Sequence, residues 1–233
     1  MKVLKNFIYN FLYKILTIIL PFITVPYVTR IFDPEILGKY NYTASITTYF
    51  TMFGMLGIIT YGSNQIAKVA HSGKVEVSST FSSIYYFQLL TTSIATFTFI
   101  ICIFLFSGEY TIFFLVQIFS LISIIFDVSW LFQGVEDFKS IVVRNTFVKL
   151  VSVLLVFLLV KKQNDIYIYI SIMAISSLLS QAIIWVNVNK YAKLVKVEWN
   201  NIIHHLKPTL SFFMPQISIS LYNTLDRVIL GSL

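Results

Sequence analysis

Residues 81–106 read FSSIYYFQLLTTSIATFTFIICIFLF, an uncharged apolar run that is longer than the roughly 20 residues a helix needs to cross a bilayer. Similar runs recur from end to end of the chain, separated by short polar segments. The composition agrees, since 57% of the 233 residues are hydrophobic, 12% are charged and the mean hydropathy is +0.81. So few polar residues cannot cover a soluble globule of this length. The sequence therefore predicts a polytopic membrane protein.

The apolar runs divide the chain into seven predicted spans. A window of about 19 residues places them at 7–30, 39–62, 81–106, 111–134, 145–160, 166–188 and 209–230. We expect helices, because lipid cannot satisfy free backbone groups and the runs lack the short alternating segments of a β-barrel. The predicted fold class is all-α, a polytopic transmembrane helix bundle without strands.

The distribution of basic residues predicts the orientation of the spans. Ten of them fall on one side of the seven-span arrangement: Lys2, Lys5, Lys68, Lys74, Lys139, Arg144, Lys190, Lys193, Lys196 and Lys207. Arg30, Lys39, Lys161 and Lys162 fall on the other side. Since short cytoplasmic loops carry the excess of Lys and Arg, we expect a cytoplasmic amino terminus in a cytoplasmic (inner) membrane. The same pattern explains the net charge of +7 better than a nucleic-acid partner does.

Motifs for a soluble enzyme, a metal site or a cofactor are missing from the sequence. There is no Gly-rich phosphate loop, no GxSxG and no HExxH. Cys102 is the one cysteine, and His71, His204 and His205 have no carboxylate or cysteine at ligand spacing. We therefore expect no enzyme activity, no metal and no cofactor.

Ionisable residues inside the spans are the candidates for function, because a charge in lipid is costly and tends to face a protein interior. They are Lys14, Arg30, Asp127, Lys149, Asp226 and Arg227. Lys14 and Lys149 are interpreted either as side chains that extend to the cytoplasmic edge or as cavity residues. Asp127 is too short to extend far, and Asp226 beside Arg227 can be a locally compensated pair. Polar amides also recur in the spans and predict a polar bundle interior: Asn10, Gln88, Gln117, Gln133, Gln181, Asn187, Gln216 and Asn223.

Three stretches carry a resemblance to a known family. They are VPYVTR at 25–30 followed by DPEILGKY at 33–40, DVSWLFQGVEDF at 127–138 followed by Arg144 and Asn145, and LDRVILG at 225–231. In this order they resemble the polysaccharide biosynthesis proteins of the oligosaccharide flippase (Wzx) type, within the superfamily that holds the MATE exporters. The chain departs from the family pattern after Tyr61 and Gly62, where it reads SNQ and not the usual arginine and glutamate.

The resemblance implies a division of the chain into one MATE-like lobe and the start of another. Residues 1–188 would form a six-helix lobe, 189–208 a cytoplasmic basic linker, and 209–233 the first helix of an incomplete second lobe. On this interpretation the chain is truncated after the first lobe, and it would need a second lobe or a second copy as partner.

The resemblance also implies a cargo and a set of site residues. A full-length relative would flip undecaprenyl-diphosphate-linked oligosaccharide across the membrane by alternating access, with membrane lipids as further partners. Arg30 and Arg227 are then candidate contacts for the diphosphate, and Asp127 and Asp226 are candidates for ion coupling. Two alternatives stay open, a MATE-like exporter of small molecules and a non-transporting membrane fragment.

Overall fold

Helices make up the regular structure of this computed structural model, which describes residues 2–106 and 108–217, and no strand occurs within those ranges. Nine helices have defined bounds: α1 Lys2–Ile31, α2 Pro34–Met55, α3 Ile58–Val69, α4 Lys74–Phe106, α5 Thr111–Ser123, α6 Ser129–Gly134, α7 Phe138–Leu159, α8 Ile166–Ile183 and α9 Trp199–Ile203. A further helix, α10, begins at residue 206 and continues to 217. The all-α prediction is confirmed.

Six helical stretches of the described chain are long and apolar enough to cross a membrane. They are Lys14–Ile31, Pro34–Val69, Lys74–Leu105, Gly108–Gly134, Phe138–Leu159 and Gln163–Tyr191. Each contains or closely overlaps one of the first six predicted spans, which confirms the polytopic bundle. The seventh predicted span, 209–230, begins within α10, and its part from 218 onward lies outside the described residues.

The second span is broken into α2 and α3 by two residues with left-handed backbone. Leu56 has φ 42° and Gly57 has φ 78°, and glycine accepts that conformation without a steric penalty. A Cβ on Gly57 would also lie 2.9 Å from the backbone of both Phe212 and Phe213. Gly57 therefore allows the second span to change direction and α10 to approach it closely.

The fourth span is broken between α5 and α6, and a buried amide repairs the break. A 3-10 turn at Ile124–Phe126 is followed by extended backbone at Asp127, which leaves carbonyls without helical partners. The Nε2 atom of Gln88 donates to the carbonyl oxygens of Ile124, at 2.7 Å, and Asp127, at 3.0 Å. Trp130 Nε1 in turn donates to Gln88 Oε1 at 2.9 Å. The break is thus an ordered feature, held from α4.

Two apolar cores hold the spans together. The larger one packs α3, α4 and α6 around the fully buried Trp130, Phe81 and Phe132. The smaller one joins α1, α7 and α8 through Val28, Val156 and Ile170, together with their apolar neighbours. Outside these cores, large apolar side chains such as Phe22 and Phe104 are more than 70% exposed, which suits a surface solvated by lipid.

The bundle has two ends, which we name by one residue each. The Arg30 end carries the α1–α2 turn, the start of α5 and the turn between α7 and α8, where Tyr27 OH donates to the carbonyl of Val160 at 2.8 Å. The Lys74 end carries the α3–α4 turn, the α6–α7 turn and the segment that follows α8. The hydroxyls of Ser78 and Ser82 in α4 hydrogen-bond the backbone of Lys193 and Val195 there.

Candidate functional site

Polar side chains line a groove along one face of the bundle, between α2, α5, α8 and α7. Two adjoining cavities form it, of about 140 Å³ between α2, α5 and α8 and about 260 Å³ between α7 and α8. Met173 of α8 lines both, so the two cavities meet at this residue. We call them together the polar groove.

On the α2 side the groove is lined by Thr47 and Thr51, which continue a row of threonines one helical turn apart that begins at the fully buried Thr43. The hydroxyls of Thr43, Thr47 and Thr51 each donate to the carbonyl oxygen four residues earlier, at 2.8 to 2.9 Å. This bond satisfies a hydroxyl within its own helix, so a row of threonines is tolerated in a membrane. Gln117 of α5 extends the row, since its Nε2 donates to Thr43 Oγ1 at 2.7 Å.

On the α7 and α8 side the groove is lined by serines and amides. The hydroxyls of Ser123 in α5 and Ser177 in α8 lie 2.9 Å apart. Asn145 Oδ1 accepts from Ser180 Oγ at 3.0 Å and from the Nε of the buried Arg144, also at 3.0 Å. Gln181 Oε1 is buried and accepts no hydrogen bond from the residues that the structure describes. The groove therefore offers hydroxyl and amide groups suited to a polar ligand.

Lys149 carries the one formal charge among the described residues that line the polar groove. It lies 11 residues after the start of α7 at Phe138, about 16 Å along a helix that rises roughly 1.5 Å per residue. It is thus near the middle of its span, which favours the cavity interpretation of Lys149 over an extension to the cytoplasmic edge. A cation at this depth attracts an anionic group of a ligand.

Of the four sequence-predicted site residues, the two that the structure describes lie apart. Arg30 is exposed in the last turn of α1, at the Arg30 end. Asp127 is 7% exposed at the break of the fourth span, toward the Lys74 end, and its Oδ1 accepts from the backbone N–H of Ser129 at 3.0 Å. Neither side chain lines the polar groove. The other two candidates, Asp226 and Arg227, lie outside the described residues.

Sequence reasoning identified part of the groove and missed the rest. Of the predicted polar amides, Gln117 and Gln181 line the groove, whereas Gln88 serves the break in the fourth span. The serines and threonines were overlooked, although the four-residue spacing of Thr43, Thr47 and Thr51 is visible in the sequence. Within the described ranges, no group of three His, Cys, Asp or Glu side chains lies close enough to hold a metal ion.

Comparison with known proteins finds a matching family model and two curated relatives. A family model described as polysaccharide biosynthesis protein matches residues 3–233. A curated protein of Shigella dysenteriae is 31% identical over 97% of this chain, and one of Escherichia coli strain K12 is 27% identical over 97%. Both are provisionally named O-antigen transporters. The chain covers 58% and 55% of their lengths, so it spans little more than half of these relatives. No solved structure matches the chain.

Proposed function

The chain belongs to the family of polysaccharide biosynthesis proteins, and on that premise we propose that it forms one lobe of a transporter for lipid-linked oligosaccharide. The names of the two relatives describe transport and not catalysis. The cargo would be an undecaprenyl-diphosphate-linked unit, moved across the cytoplasmic membrane for surface polysaccharide synthesis. One observation carries the proposal, the polar groove with Lys149 midway along a six-span bundle.

The chemistry of the groove suits the head group of such a cargo. Hydroxyl and amide side chains, among them Thr47, Ser177 and Gln181, can exchange hydrogen bonds with sugar hydroxyls. The ammonium group of Lys149 would pair with the diphosphate. Arg30 and Arg227 stay proposed as further anion contacts, Arg30 at the Arg30 end of the bundle and not at the centre of the groove. Asp127 and Asp226 stay proposed as ion-coupling residues.

Alternating access is the proposed mechanism. In the described part of the chain the groove is open along one side, so a second lobe or a second copy would have to cover it to make a closed path. Rocking of the two halves would then expose the groove to either face of the membrane in turn. The amino terminus would be cytoplasmic, because the Lys74 end carries most of the lysines.

Complementation tests the proposal. The chain would be expressed in a bacterium that lacks its oligosaccharide flippase, with and without a separately expressed second lobe from the Shigella relative, and surface polysaccharide would be scored. Restoration by the chain alone would indicate a homo-oligomer, and restoration only with the second lobe would indicate half of a transporter. If neither arrangement restores polysaccharide, the transport proposal is wrong and a non-transporting membrane protein is favoured.

Lys149 gives this experiment a residue-level test. In the combination that restores polysaccharide, we expect Lys149→Met to lower it at least tenfold, because the groove loses its charge, and Lys149→Arg to retain most of it. Lys14→Met is the matched control, since Lys14 is exposed on α1 and outside the groove. Equal polysaccharide from the Lys149→Met and Lys14→Met variants would show that the groove charge has no part in transport.

The groove charge also separates the proposal from its closest rival. A MATE-like exporter of small organic cations would need acidic groups in its cavity, and no Asp or Glu lines the polar groove in the described residues. Expression of the chain should therefore leave resistance to cationic dyes unchanged. A rise in dye resistance without restored polysaccharide would favour the exporter.

A further inference from the structure

A buried histidine fastens the segment after the sixth span to α3 and α4. His205, between α9 and α10, is 8% exposed. Its Nδ1 lies 2.7 Å from the hydroxyl of Tyr61 in α3, and its Nε2 lies 2.9 Å from the hydroxyl of Ser83 in α4. Both ring nitrogens are thus engaged, by two different helices.

Close packing surrounds this pair of hydrogen bonds. Ile202 of α9 is buried in the larger apolar core, and Thr209 of α10 is fully buried and bonded to the carbonyl of His205 at 2.8 Å. The rings of Phe212 and Tyr61 lie 6.0 Å apart. With the approach of Gly57 to the α10 backbone, these contacts place α9 and α10 on the lobe, and His205 is the polar centre of the contact.

A proton on His205 would have no negative charge to compensate it among its observed neighbours. The titratable groups that face the ring are Tyr61 from α3 and His204 from its own segment, whereas α4 contributes Ser83 and Phe87, which do not ionise. Hydroxyls can accept from both ring N–H groups of an imidazolium, so the two hydrogen bonds would survive. The cost is the burial of a charge next to a second histidine.

We propose that Tyr61, His205 and Ser83 form a proton-operated clamp, which holds α9 and α10 against α3 and α4 while the imidazole is neutral and releases them when it takes up a proton. The contacts of His205 support the clamp by themselves, and only its part in transport rests on the proposed function. In a rocking transporter, the clamp would set how firmly the segment that leads toward the second lobe is tied to the first.

The pKa of His205 determines how strongly acid weakens the docking of α9 and α10. Burial, and secondarily the charge of His204, lower the pKa of His205 from 6.5 to about 4. In the released state the ring is exposed and its pKa returns to about 6.5. The contribution of the neutral imidazole to docking is therefore fully present above pH 6.5 and decreases as the pH falls toward 4. Between pH 7.5 and 5.5 linkage predicts that the released population rises about tenfold relative to the docked one.

Thiol labelling of a buried position measures that population even when it is small. In a Cys102→Ser background, Ile202→Cys places a thiol that is accessible only on release, and Asn201→Cys places an exposed reference thiol beside it. The chain would be labelled with maleimide in lipid nanodiscs at pH 7.5 and 5.5. The ratio of the two labelling rates cancels the pH dependence of the thiols themselves. We expect this ratio to rise about tenfold on acidification.

Three variants test whether the clamp causes the rise in the labelling ratio. His205→Gln keeps a donor and an acceptor but cannot ionise, so its ratio should not change with pH, whereas His204→Gln should keep most of the rise. Tyr61→Phe should raise the ratio at both pH values and still respond to acid. A constant ratio in the parent chain, or a full rise in His205→Gln, would overturn the proposal. Loss of transport activity would leave all these outcomes unchanged, so the clamp and the transport proposal fail separately.

Discussion

Gln88 shows how one buried side chain can determine the course of a span. Its amide spans the gap left by the broken fourth span, accepting from the Trp130 indole and donating to two backbone carbonyls. The hydroxyls of Thr91 and Thr92 donate to the backbone carbonyl oxygen of Gln88, at 3.1 and 2.6 Å. The amide thus lies at the centre of a fully polar contact inside an apolar core, where no water can replace it.

Replacement of Gln88 by leucine should destabilise the chain. The change leaves the carbonyl of Asp127 and the indole N–H of Trp130 without their observed partners, and it removes one of the two donors to the carbonyl of Ile124. We expect a loss of about 2 kcal/mol in the free energy of unfolding. Thermal unfolding in detergent, followed by circular dichroism, measures it. Gln65→Leu is the control, since Gln65 is only partly buried on α3. An unfolding midpoint that falls equally in both variants would contradict the role assigned to Gln88.

The same residue illustrates what sequence reasoning can and cannot supply. A glutamine inside an apolar run predicts a hydrogen bond within the bundle, which is correct for Gln88. Its partners are backbone carbonyls that become available only because the fourth span breaks. That break occurs at Asp127, in a stretch, 121–133, that is otherwise mostly apolar and has no glycine or proline. Hydropathy reports that a segment is in lipid, but it is insensitive to a turn within the segment.

At the scale of elements, the turn between α2 and α3 positions α10. Gly57 combines a positive φ with the close approach of Phe212 and Phe213, so both the backbone and the space favour glycine. The Tyr61 partner of the clamp lies one turn further along α3, and it depends on this turn for its position.

Substitution of Gly57 by alanine should loosen the docking of α10 as well as destabilise the turn. A left-handed alanine costs about 1 kcal/mol, and its Cβ would have to displace the α10 backbone. We expect at least a severalfold increase in the labelling of a thiol at Ile202 at pH 7.5. Gly38→Ala is the matched control, because a Cβ there meets nothing within 4 Å and Gly38 lies within α2. Similar labelling in the two variants would show that Gly57 does not hold α10.

At the scale of the whole molecule, the first six spans and their order followed from the sequence, whereas the groove did not. Six apolar runs of bilayer length predicted the six membrane-crossing stretches that the structure describes. The polar groove draws its lining from four helices, and its threonines satisfy their hydroxyls locally, so neither composition nor hydropathy marks them. The depth of Lys149 in the membrane was also not predicted. The predicted span began at residue 145, whereas α7 begins at Phe138, so Lys149 lies further from the helix start than expected.

The orientation of the bundle has a direct test. In a Cys102→Ser background, Lys74→Cys should be labelled by an impermeant maleimide only after the cells are opened, because the Lys74 end carries most of the lysines and should be cytoplasmic. Lys161→Cys, at the Arg30 end, should be labelled in intact cells. Both positions are exposed, so access to reagent and not burial decides the result. The reverse pattern of labelling would invert the proposed topology.

The sparse packing of α1 has a consequence for biogenesis. Only 11% of its membrane stretch, Lys14–Ile31, is buried in the described bundle, and the hydrogen bond that ties its last turns to the end of α7 joins residues 133 apart in sequence. On the ribosome, α1 is therefore made long before its main packing partner exists. It would then enter the bilayer before α7 is made, and the mean hydropathy of 1.5 over Lys14–Ile31 makes a helix with few protein neighbours stable in lipid. Assembly of this bundle is then a late lateral association, in which α7 packs against a helix that is already inserted.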